Sequence, residues 1–322
     1  MNEEISRYIY NYGIDKCKVK DVKMRLSKIK VCGYFKGKNN LDIYYEKYYI
    51  KEEKGAIVIS HGFSECIDKF IEMIYYFIGM GYSVYAIEHR GHGRSGHLSK
   101  TDKTQVNIDK FENYVEDLKI FLDKIVTKNS SDLYLYAHSM GGAIATMFLE
   151  KYNGYFKKAI LSAPMMEIET GKFSKSIVYI VSSIYIMAGK GESYLFGHGP
   201  FDGKYNLEMS GASNKYRYKN HLEELKSNEE LQRSGGSFKW CFEALRATDY
   251  ILKKRNIKNI NIPILLFQSG KDTFVRERGQ NKFCKCANIC NKIKFENAKH
   301  EIFFENDEIF IEYLKEIKKF LQ

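Results

Sequence analysis

The chain has 322 residues, of which 44% are hydrophobic and three are proline, so it carries enough apolar side chain for a sizeable folded core. This composition excludes a disordered chain and a collagen-like polymer. The formal net charge of +11 would suit nucleic acid, an anionic membrane surface or an anionic substrate, but the basic residues are interleaved with acidic ones along the whole chain. This interleaving indicates a lysine-rich solvated surface, and we expect no nucleic-acid partner.

The beginning of the chain and its cysteines bear on where the protein works. Residues 1–20 carry charges throughout and lack the apolar segment of a secretory signal. The most apolar stretch, 177–188, is shorter than the ~20 residues of a membrane-spanning helix. We therefore expect a cytoplasmic protein in which the seven cysteines are reduced. The spacing of Cys284, Cys286 and Cys290 matches no familiar zinc pattern, so we expect no metal.

The predicted elements begin with an antiparallel hairpin made of residues 29–35 and 41–50. From residue 56 onward, short apolar runs typical of buried parallel strands alternate with amphipathic helices. The predicted strands are 56–60, 82–87, 133–137 and 158–162, and the predicted helices are 70–80, 108–125 and 141–152. This alternation predicts a doubly wound, mostly parallel sheet with helices on both faces, an α/β fold.

The alternation stops between residues 164 and 238 and then resumes with a strand at 262–268, a helix from 278, a strand at 292–295 and a helix at 309–321. We therefore expect a core made of residues 1–163 and 239–322, interrupted by a helical insertion at 164–238. The insertion contains an apolar stripe at helical spacing, made of Ile177, Ile180, Val181, Ile184 and Met187. Burial in a core is the usual reason for such a stripe, and a lid helix with an apolar face toward lipid is the alternative.

A short motif at the junction between a predicted strand and a predicted helix carries the chemistry. Residues 137–141, Ala-His-Ser-Met-Gly, match the pattern G-x-S-x-G with alanine in place of the first glycine. Small residues beside the serine let the backbone turn sharply and lift the hydroxyl above the sheet at the helix N-terminus. The motif therefore predicts Ser139 as a nucleophile rather than as a helix-capping serine.

A serine nucleophile needs a histidine base and an acid that orients the histidine. In this kind of site they follow in the chain order serine, acid, histidine. Of the eight histidines, His300 alone follows the last predicted strand. Asp272 follows the strand 262–268, at the end of the sheet where open α/β sheets build their sites. We therefore predict that Ser139, Asp272 and His300 are catalytic.

The reaction also needs backbone N–H groups that stabilise the negative charge of the tetrahedral intermediate, each worth roughly 3 to 4 kcal/mol. One donor is predicted at Met140, directly after the nucleophile. The second is predicted at Phe63, because Gly62 lets the loop after the strand 56–60 turn closely. The glycine-rich segment 88–96 lacks the ending of a nucleotide-binding loop, and we interpret it as a structural loop beside the site.

Together these motifs resemble the lysophospholipase and monoacylglycerol lipase group of the α/β-hydrolases. The resemblance rests on residues 61–63, 88–95, 138–142 and 161–165, followed by Asp272 and His300. It extends from about residue 29 to the C-terminus. Residues 235–240 and 300–305 look more like the bacterial lysophospholipases than the monoacylglycerol lipases.

The resemblance implies that Ser139 attacks the acyl ester of a single-chain lipid, a lysophospholipid or a monoacylglycerol. Water then releases the fatty acid from an acyl-enzyme, and no cofactor takes part. The insertion would form a cap over the substrate. The acyl tunnel would be lined by Ile177, Ile180, Val181, Ile184 and Trp240. Phe63 stands where the monoacylglycerol lipases usually carry a small residue, a difference that bears on the shape of the acyl pocket.

Two alternatives stay open at this point. Serine aminopeptidases and short-chain esterases use the same catalytic parts, because fold and triad do not fix the substrate. A non-catalytic basic binding module is the minor alternative. The net charge would also suit weak peripheral contact with the anionic inner face of the membrane, while the oligomeric state is left open.

Overall fold

The computed structural model describes residues 16–127 and 132–322. One eight-stranded sheet forms the centre of the molecule. Its strands are β1 (Lys30–Lys36), β2 (Asp42–Tyr48), β3 (Ala56–Ser60), β4 (Ser83–Ile87), β5 (Leu133–His138), β6 (Lys158–Ser162), β7 (Ile264–Ser269) and β8 (Cys290–Phe295). Their order across the sheet is β1-β2-β4-β3-β5-β6-β7-β8. The hairpin of β1 and β2 is antiparallel, β2 pairs antiparallel with β4, and every other pair is parallel.

The sheet grows in both directions from β3, which pairs with β4 on one side and with β5 on the other. Ser60 at the end of β3 is the partner of Ala137 near the end of β5. The loops that follow these two strands therefore leave the sheet side by side. Open α/β sheets build their sites at such a switch point.

Helices cover both faces of the sheet. They are α1 (Lys16–Ser27), α2 (Ile71–Gly79), α3 (Glu112–Phe121), α4 (Met140–Lys151), α5 (Lys175–Met187), α6 (Lys215–Ser227), α7 (Phe238–Ile251), α8 (Lys254–Ile257), α9 (Glu277–Cys286) and α10 (Asp307–Leu321). The helices α3, α4, α7 and α9 pack on one face, and α1, α2 and α10 pack on the other. Strand β5 supplies Leu135 to the first apolar layer and Tyr136 to the second, because successive side chains of a strand point to opposite faces.

The doubly wound, mostly parallel sheet is thus confirmed. The predicted strands at 56–60 and 158–162 match β3 and β6 exactly, and the remaining strand ends differ by one or two residues. The helix predicted from residue 108 begins at Glu112 and continues past α3 as a π-helical turn, Leu122–Val126. The described residues between β6 and α7 add α5 and α6 but no strand to the sheet.

The stripe of α5 is not buried, so the interpretation of α5 as an ordinary core helix is wrong. Ile177, Ile180 and Ile184 are each about half exposed, at 49%, 56% and 52%, and Met187 is 78% exposed. The helix packs against α7 with other residues, and the rings of Tyr179 and Phe242 stack at 4.7 Å between centroids. The apolar stripe therefore forms an exposed face.

The cysteines also differ from the expectation. A disulfide joins Cys284 at the end of α9 to Cys290 at the start of β8, so the prediction that all cysteines are reduced is wrong for this pair. Cys32, Cys66, Cys241 and Cys286 are free thiols. Within residues 16–127 and 132–322, no helix has the length and apolarity that crossing a bilayer requires. The prediction that residues 1–20 contain no secretory signal falls largely on residues 1–15, which lie outside the described residues.

Candidate active site

Ser139 stands at the sharp turn between β5 and α4. Its backbone adopts φ 51° and ψ −118°, a conformation that residues with a side chain rarely take. The turn brings α4 very close to β3, since a Cβ atom on Gly141 would lie 2.2 Å from the carbonyl oxygen of Ser60. The small residue that the motif requires is therefore explained by this close approach.

The structure brings the three predicted catalytic residues together. The Oγ of Ser139 lies 2.8 Å from Nε2 of His300, and Nδ1 of His300 lies 2.6 Å from Oδ2 of Asp272. The other oxygen of Asp272 accepts hydrogen bonds from the backbone N–H groups of Phe274 and Val275, at 2.8 and 3.0 Å. Because both carboxylate oxygens are engaged, the imidazole is held with Nδ1 as donor and Nε2 facing the serine hydroxyl.

The charges of this site favour proton transfer from the serine. Burial alone would raise the pKa of Asp272, but His300 and the two backbone N–H groups lower that pKa below its ordinary value. Burial alone would lower the pKa of His300, but the Asp272 carboxylate raises it above its ordinary value, with further contributions from Glu301 and Glu65. The carboxylate therefore stabilises the imidazolium that forms when His300 takes the serine proton.

The two predicted oxyanion donors come from different parts of the chain. Met140 is the first residue of α4, and Phe63 lies in the loop that leaves β3 beside β5. Among the described residues, none accepts a hydrogen bond from the backbone N–H of Phe63 or of Met140. An oxyanion formed at Ser139 is the partner that we predict for both N–H groups.

A buried charged bridge that no sequence motif indicates supports this region. The ammonium of Lys69 lies 2.9 Å from Oε1 of Glu65 and 2.7 Å from Oε1 of Glu301. The second oxygen of Glu65 accepts the backbone N–H of Gly62 at 2.5 Å, directly before Phe63. Burial opposes ionisation, but the Lys69 ammonium lowers the pKa of Glu65 to about 2. The bridge therefore stays charged and ties the loop after β3 to the residue that follows His300. We call it the Lys69 bridge.

The histidines near the site are neutral structural groups. The ring of His61 donates from Nδ1 to the carbonyl of Gly62 at 2.8 Å and accepts the backbone N–H of His89 at Nε2, at 3.0 Å. Burial lowers the pKa of His61 to about 4 and that of His138 to about 3. These rings therefore do not compete with His300 as the base at neutral pH.

The glycine-rich segment 88–96 is held from within the protein. Arg90 donates from Nε to Asp117 at 2.7 Å, and Arg94 donates from Nη1 to Glu88 at 2.6 Å. The ring of His92, in the same segment, lies beside Phe63 with centroids 6.3 Å apart. The interpretation as a structural loop beside the site agrees with these contacts.

The predicted substrate-binding residues divide into two groups. Trp240 is buried, and its ring lies 4.2 Å from the ring of Phe63, so it borders the loop that carries the predicted oxyanion donor. Ile177, Ile180 and Ile184 lie on the exposed face of α5 instead, and Val181 of the same helix is partly buried. In this structure they are not the buried lining of a closed tunnel, because the stripe faces solvent.

Comparison with known proteins agrees with this geometry. The family Hydrolase_4, described as "Serine aminopeptidase, S33", matches residues 51–307. The chain belongs to this family. The match includes Ser139, Asp272, His300 and the loop of Phe63, and it places the chain among the α/β-hydrolases that act as serine hydrolases.

Individual relatives are similar over most of the chain. The probable lysophospholipase L2 of Haemophilus influenzae is 30% identical over 298 residues, which cover 89% of this chain and 91% of that protein. Lysophospholipase L2 of Escherichia coli K12 is 26% identical, over 85% of this chain and 82% of that protein. A soluble variant of monoglyceride lipase from Saccharomyces cerevisiae, solved with a substrate analogue, superposes with a TM-score of 0.70 at 18% identity, over 90% of this chain and 94% of that one. This superposition confirms the α/β-hydrolase fold.

Proposed function

We propose that this serine hydrolase cleaves the acyl ester of a single-chain lipid, a lysophospholipid or a monoacylglycerol. The observation that carries the proposal is the continuous chain of hydrogen bonds from Ser139 through His300 to Asp272. The names of the relatives, lysophospholipase L2 and monoglyceride lipase, support the lipid substrate.

The geometry supports a reaction in two halves. Nε2 of His300 takes the hydroxyl proton while Oγ of Ser139 attacks the ester carbonyl, and the N–H groups of Phe63 and Met140 donate to the resulting oxyanion. His300 then returns the proton to the leaving alcohol, which leaves the acyl group on Ser139. In the second half a water molecule gives a proton to His300 and attacks the acyl carbon. The bond to Oγ then breaks, His300 returns the proton to Oγ of Ser139, and the fatty acid departs.

Activity labelling with a fluorophosphonate tests the nucleophile, the base and the oxyanion donors together. We expect the probe to label the parent protein and the control variant Ser27→Ala but not Ser139→Ala. Ser139→Ala should also lose hydrolysis of lysophosphatidylethanolamine and monoacylglycerol while its circular dichroism spectrum is unchanged. Hydrolysis by Ser139→Ala at the parent rate would contradict the proposal.

A second candidate function is peptide-bond hydrolysis, which the description of the family as serine aminopeptidases favours. Amino-acid arylamides and short nitrophenyl esters belong in the same substrate panel. Turnover of an arylamide with higher kcat/KM than either lipid would favour the aminopeptidase. A preference for short nitrophenyl esters would favour a general esterase.

We propose further that residues 164–238 act as a cap over the site. This segment includes α5 and α6, and α6 is anchored to the core through Arg217, whose Nε donates to Glu72 of α2 at 2.7 Å. Trp240, just after the segment, packs on the ring of Phe63, whose backbone N–H is a predicted oxyanion donor. An acyl chain that enters between the cap and the core would therefore meet Trp240 near the reacting carbon.

The exposed face of α5 supports a contact with an anionic membrane surface, where single-chain lipids reside. Ile177, Ile180, Ile184 and Met187 present apolar surface to solvent, and Lys172 and Lys190 lie beyond the two ends of the helix. Apolar burial and attraction between lysine and anionic lipid act together in such contacts. A location at the inner face of the membrane would follow from this contact.

Sedimentation with vesicles of phosphatidylglycerol and phosphatidylcholine tests the membrane contact. We expect the double variant Ile180→Ser, Ile184→Ser to bind the vesicles more weakly than the parent. Ile289→Ser removes an equally exposed isoleucine elsewhere, at 52% exposure, and should bind like the parent. Equal binding by all three proteins would contradict this role of α5.

A further inference from the structure

Arg233, near the end of the proposed cap, is a buried cation with 3% exposure. Its hydrogen-bond partners are three backbone carbonyls and the ring of His97, and among the described residues none of its partners is a carboxylate. Burial lowers the pKa of the Arg233 guanidinium to about 10, so it is charged at neutral pH. Burying a cation without an adjacent carboxylate costs stability, and the hydrogen bonds to carbonyls offset part of that cost.

The guanidinium holds the glycine-rich segment 88–96 at two points. Nε of Arg233 donates to the carbonyl of Gly91 at 2.9 Å, and Nη2 donates to the carbonyl of Gly93 at 2.6 Å. Both glycines adopt positive φ, 73° and 51°, where residues with a side chain are disfavoured. A turn that contains two such glycines has little rigidity of its own. Arg233 therefore fixes the backbone on both sides of the residue between them, His92.

His92 carries this constraint to the loop after β3. Its ring is buried, and Nδ1 donates to the carbonyl of Arg90 at 3.0 Å. The ring lies edge-on to the ring of Phe63, with centroids 6.3 Å apart, and its centroid is 5.3 Å from that of the His61 ring. His92 thus packs against residues on both sides of Gly62, in the loop that carries the predicted oxyanion donor.

The residues that follow Arg233 meet the same loop. The carbonyl of Gly235 accepts the backbone N–H of Val106 at 3.0 Å, which fastens the end of the cap segment to the core. A Cβ atom on Gly236 would lie 3.2 Å from Cζ of Phe63, so the backbone of Gly236 packs closely on this ring. The end of the cap segment therefore contacts Phe63 directly and, through Arg233, holds the turn whose ring packs on Phe63.

We propose that Arg233 is a positioning residue for hydrolysis. By holding the carbonyls of Gly91 and Gly93 it fixes the His92 ring, and this ring keeps the backbone N–H of Phe63 directed at the oxyanion. The cap would thus complete the oxyanion site through a residue that does not touch the substrate. The inference rests on the proposed cap and on the predicted role of Phe63, and it names the residue by which the cap acts on catalysis.

The first test is turnover of nitrophenyl butyrate, which reports serine hydrolysis whatever the natural lipid is. Arg233→Met fills similar space but removes the donors, and we expect its kcat to fall about 10- to 100-fold, less than or similar to the loss of one whole oxyanion donor. KM should stay within about twofold, because the donor acts on the oxyanion more than on the bound ester. Titration of Ser139 with a fluorophosphonate counts the competent molecules, so that kcat refers to folded enzyme.

Chemical rescue separates the hydrogen bonds of Arg233 from its bulk. Ethylguanidinium should restore part of kcat in Arg233→Ala, whereas ethylammonium, which lacks the planar set of donors, should restore less. Arg255→Ala removes an exposed arginine of α8 and should keep the parent kcat with either compound. A kcat per titrated site equal to the parent's in Arg233→Met would overturn the proposal, even if the melting temperature of this variant falls.

The second test uses a short-chain trifluoromethyl ketone, which adds to Oγ of Ser139 and forms an oxyanion that resembles the transition state. The inhibition constant of the ketone should rise in Arg233→Met by about the factor by which kcat/KM falls. An unchanged inhibition constant with a lowered kcat would overturn the proposal, because the loss would then lie outside the oxyanion site. Neither compound is a lipid ester, so failure of the proposed lipid substrate would show in the lipid assays and not here.

Discussion

The ammonium of Lys69 lies 2.7 Å from a carboxylate oxygen of Glu301, the residue that directly follows His300. The same ammonium contacts Glu65, which holds the loop of Phe63 through the N–H of Gly62. Lys69, Glu65 and Glu301 are all shielded from solvent to a large degree, with side-chain exposures of 8%, 5% and 14%. One cation thus fixes the distance between the loop of the base and the loop of the predicted oxyanion donor.

The first prediction concerns Glu301 as a positioning residue. His300 must be neutral to take the serine proton, so activity falls as the pH drops through its pKa. Glu301 is one of the groups that raise this pKa, after Asp272 has offset the effect of burial. Glu301→Gln should therefore lower kcat and move the acid limb of the pH–kcat/KM profile to lower pH. Glu312→Gln, an exposed change on α10, should keep the parent profile. An unmoved acid limb in Glu301→Gln would contradict the electrostatic role.

The second prediction concerns Asp272. An asparagine at this position can present its amide N–H group to Nδ1 and so favour the wrong tautomer of His300. We expect Asp272→Asn to lower kcat by about 10⁴-fold, the loss known for such a change in other serine hydrolases, while the protein stays folded. Single-turnover kinetics on a nitrophenyl ester should show the loss already in acylation. A variant within about tenfold of the parent would mean that Asp272 does not orient the base.

The third prediction concerns the turn at the nucleophile. A methyl group on Gly141 would meet the carbonyl oxygens of Ser60 and His61 at 2.2 and 2.4 Å, and backbone atoms cannot move aside as a flexible side chain can. Gly141→Ala should therefore lower the melting temperature and abolish labelling of Ser139. Gly79→Ala in α2 is the matched control, because a Cβ there meets nothing within 4 Å and alanine favours helix by about 1 kcal/mol. If both variants melt like the parent, the close approach does not constrain this position.

These residues also show what could be predicted from the sequence. Local patterns identify the strands and the motif around Ser139, because strand period and turn chemistry depend on neighbours in the chain. The stripe of α5 has a clear helical period, but periodicity cannot say whether an apolar face meets the core or solvent. The helices α1 and α6 were not predicted, since their many charged and polar residues leave only a weak stripe.

The contacts that join distant parts of the chain could not be predicted in the same way. Lys69 and Glu301 are 232 residues apart, so no spacing rule connects them. Asp272 and His300 were found only because chain order and strand ends restrict the choice. The sequence contains one local sign of the Lys69 bridge, the opposite charges of Glu65 and Lys69 four residues apart, although Glu65 precedes the 3-10 turn Ile67–Phe70.

The last prediction concerns a buried acid far from the chemistry. Glu150 lies near the C-terminal end of α4 with 4% exposure, and neither carboxylate oxygen has a hydrogen-bond partner among the described residues. Burial raises its pKa from 4.5 to about 9, against a weak opposing effect of Lys151. The folded protein therefore keeps this carboxyl protonated at a pH where the unfolded chain releases the proton.

Because the pKa is higher in the folded state, the stability contributed by the proton is present below about pH 4.5 and is lost as the pH rises toward 9. The loss approaches about 1.4 kcal/mol for each pH unit in this window. Glu150→Gln removes the titration, so its free energy of unfolding should exceed that of the parent at about pH 8.5 by more than at about pH 5. Urea unfolding at both pH values measures this difference. Glu208→Gln, in an exposed loop, should have the same free energy of unfolding as the parent at both pH values. If Glu150→Gln differs from the parent by the same free energy of unfolding at both pH values, Glu150 is ionised in the folded protein.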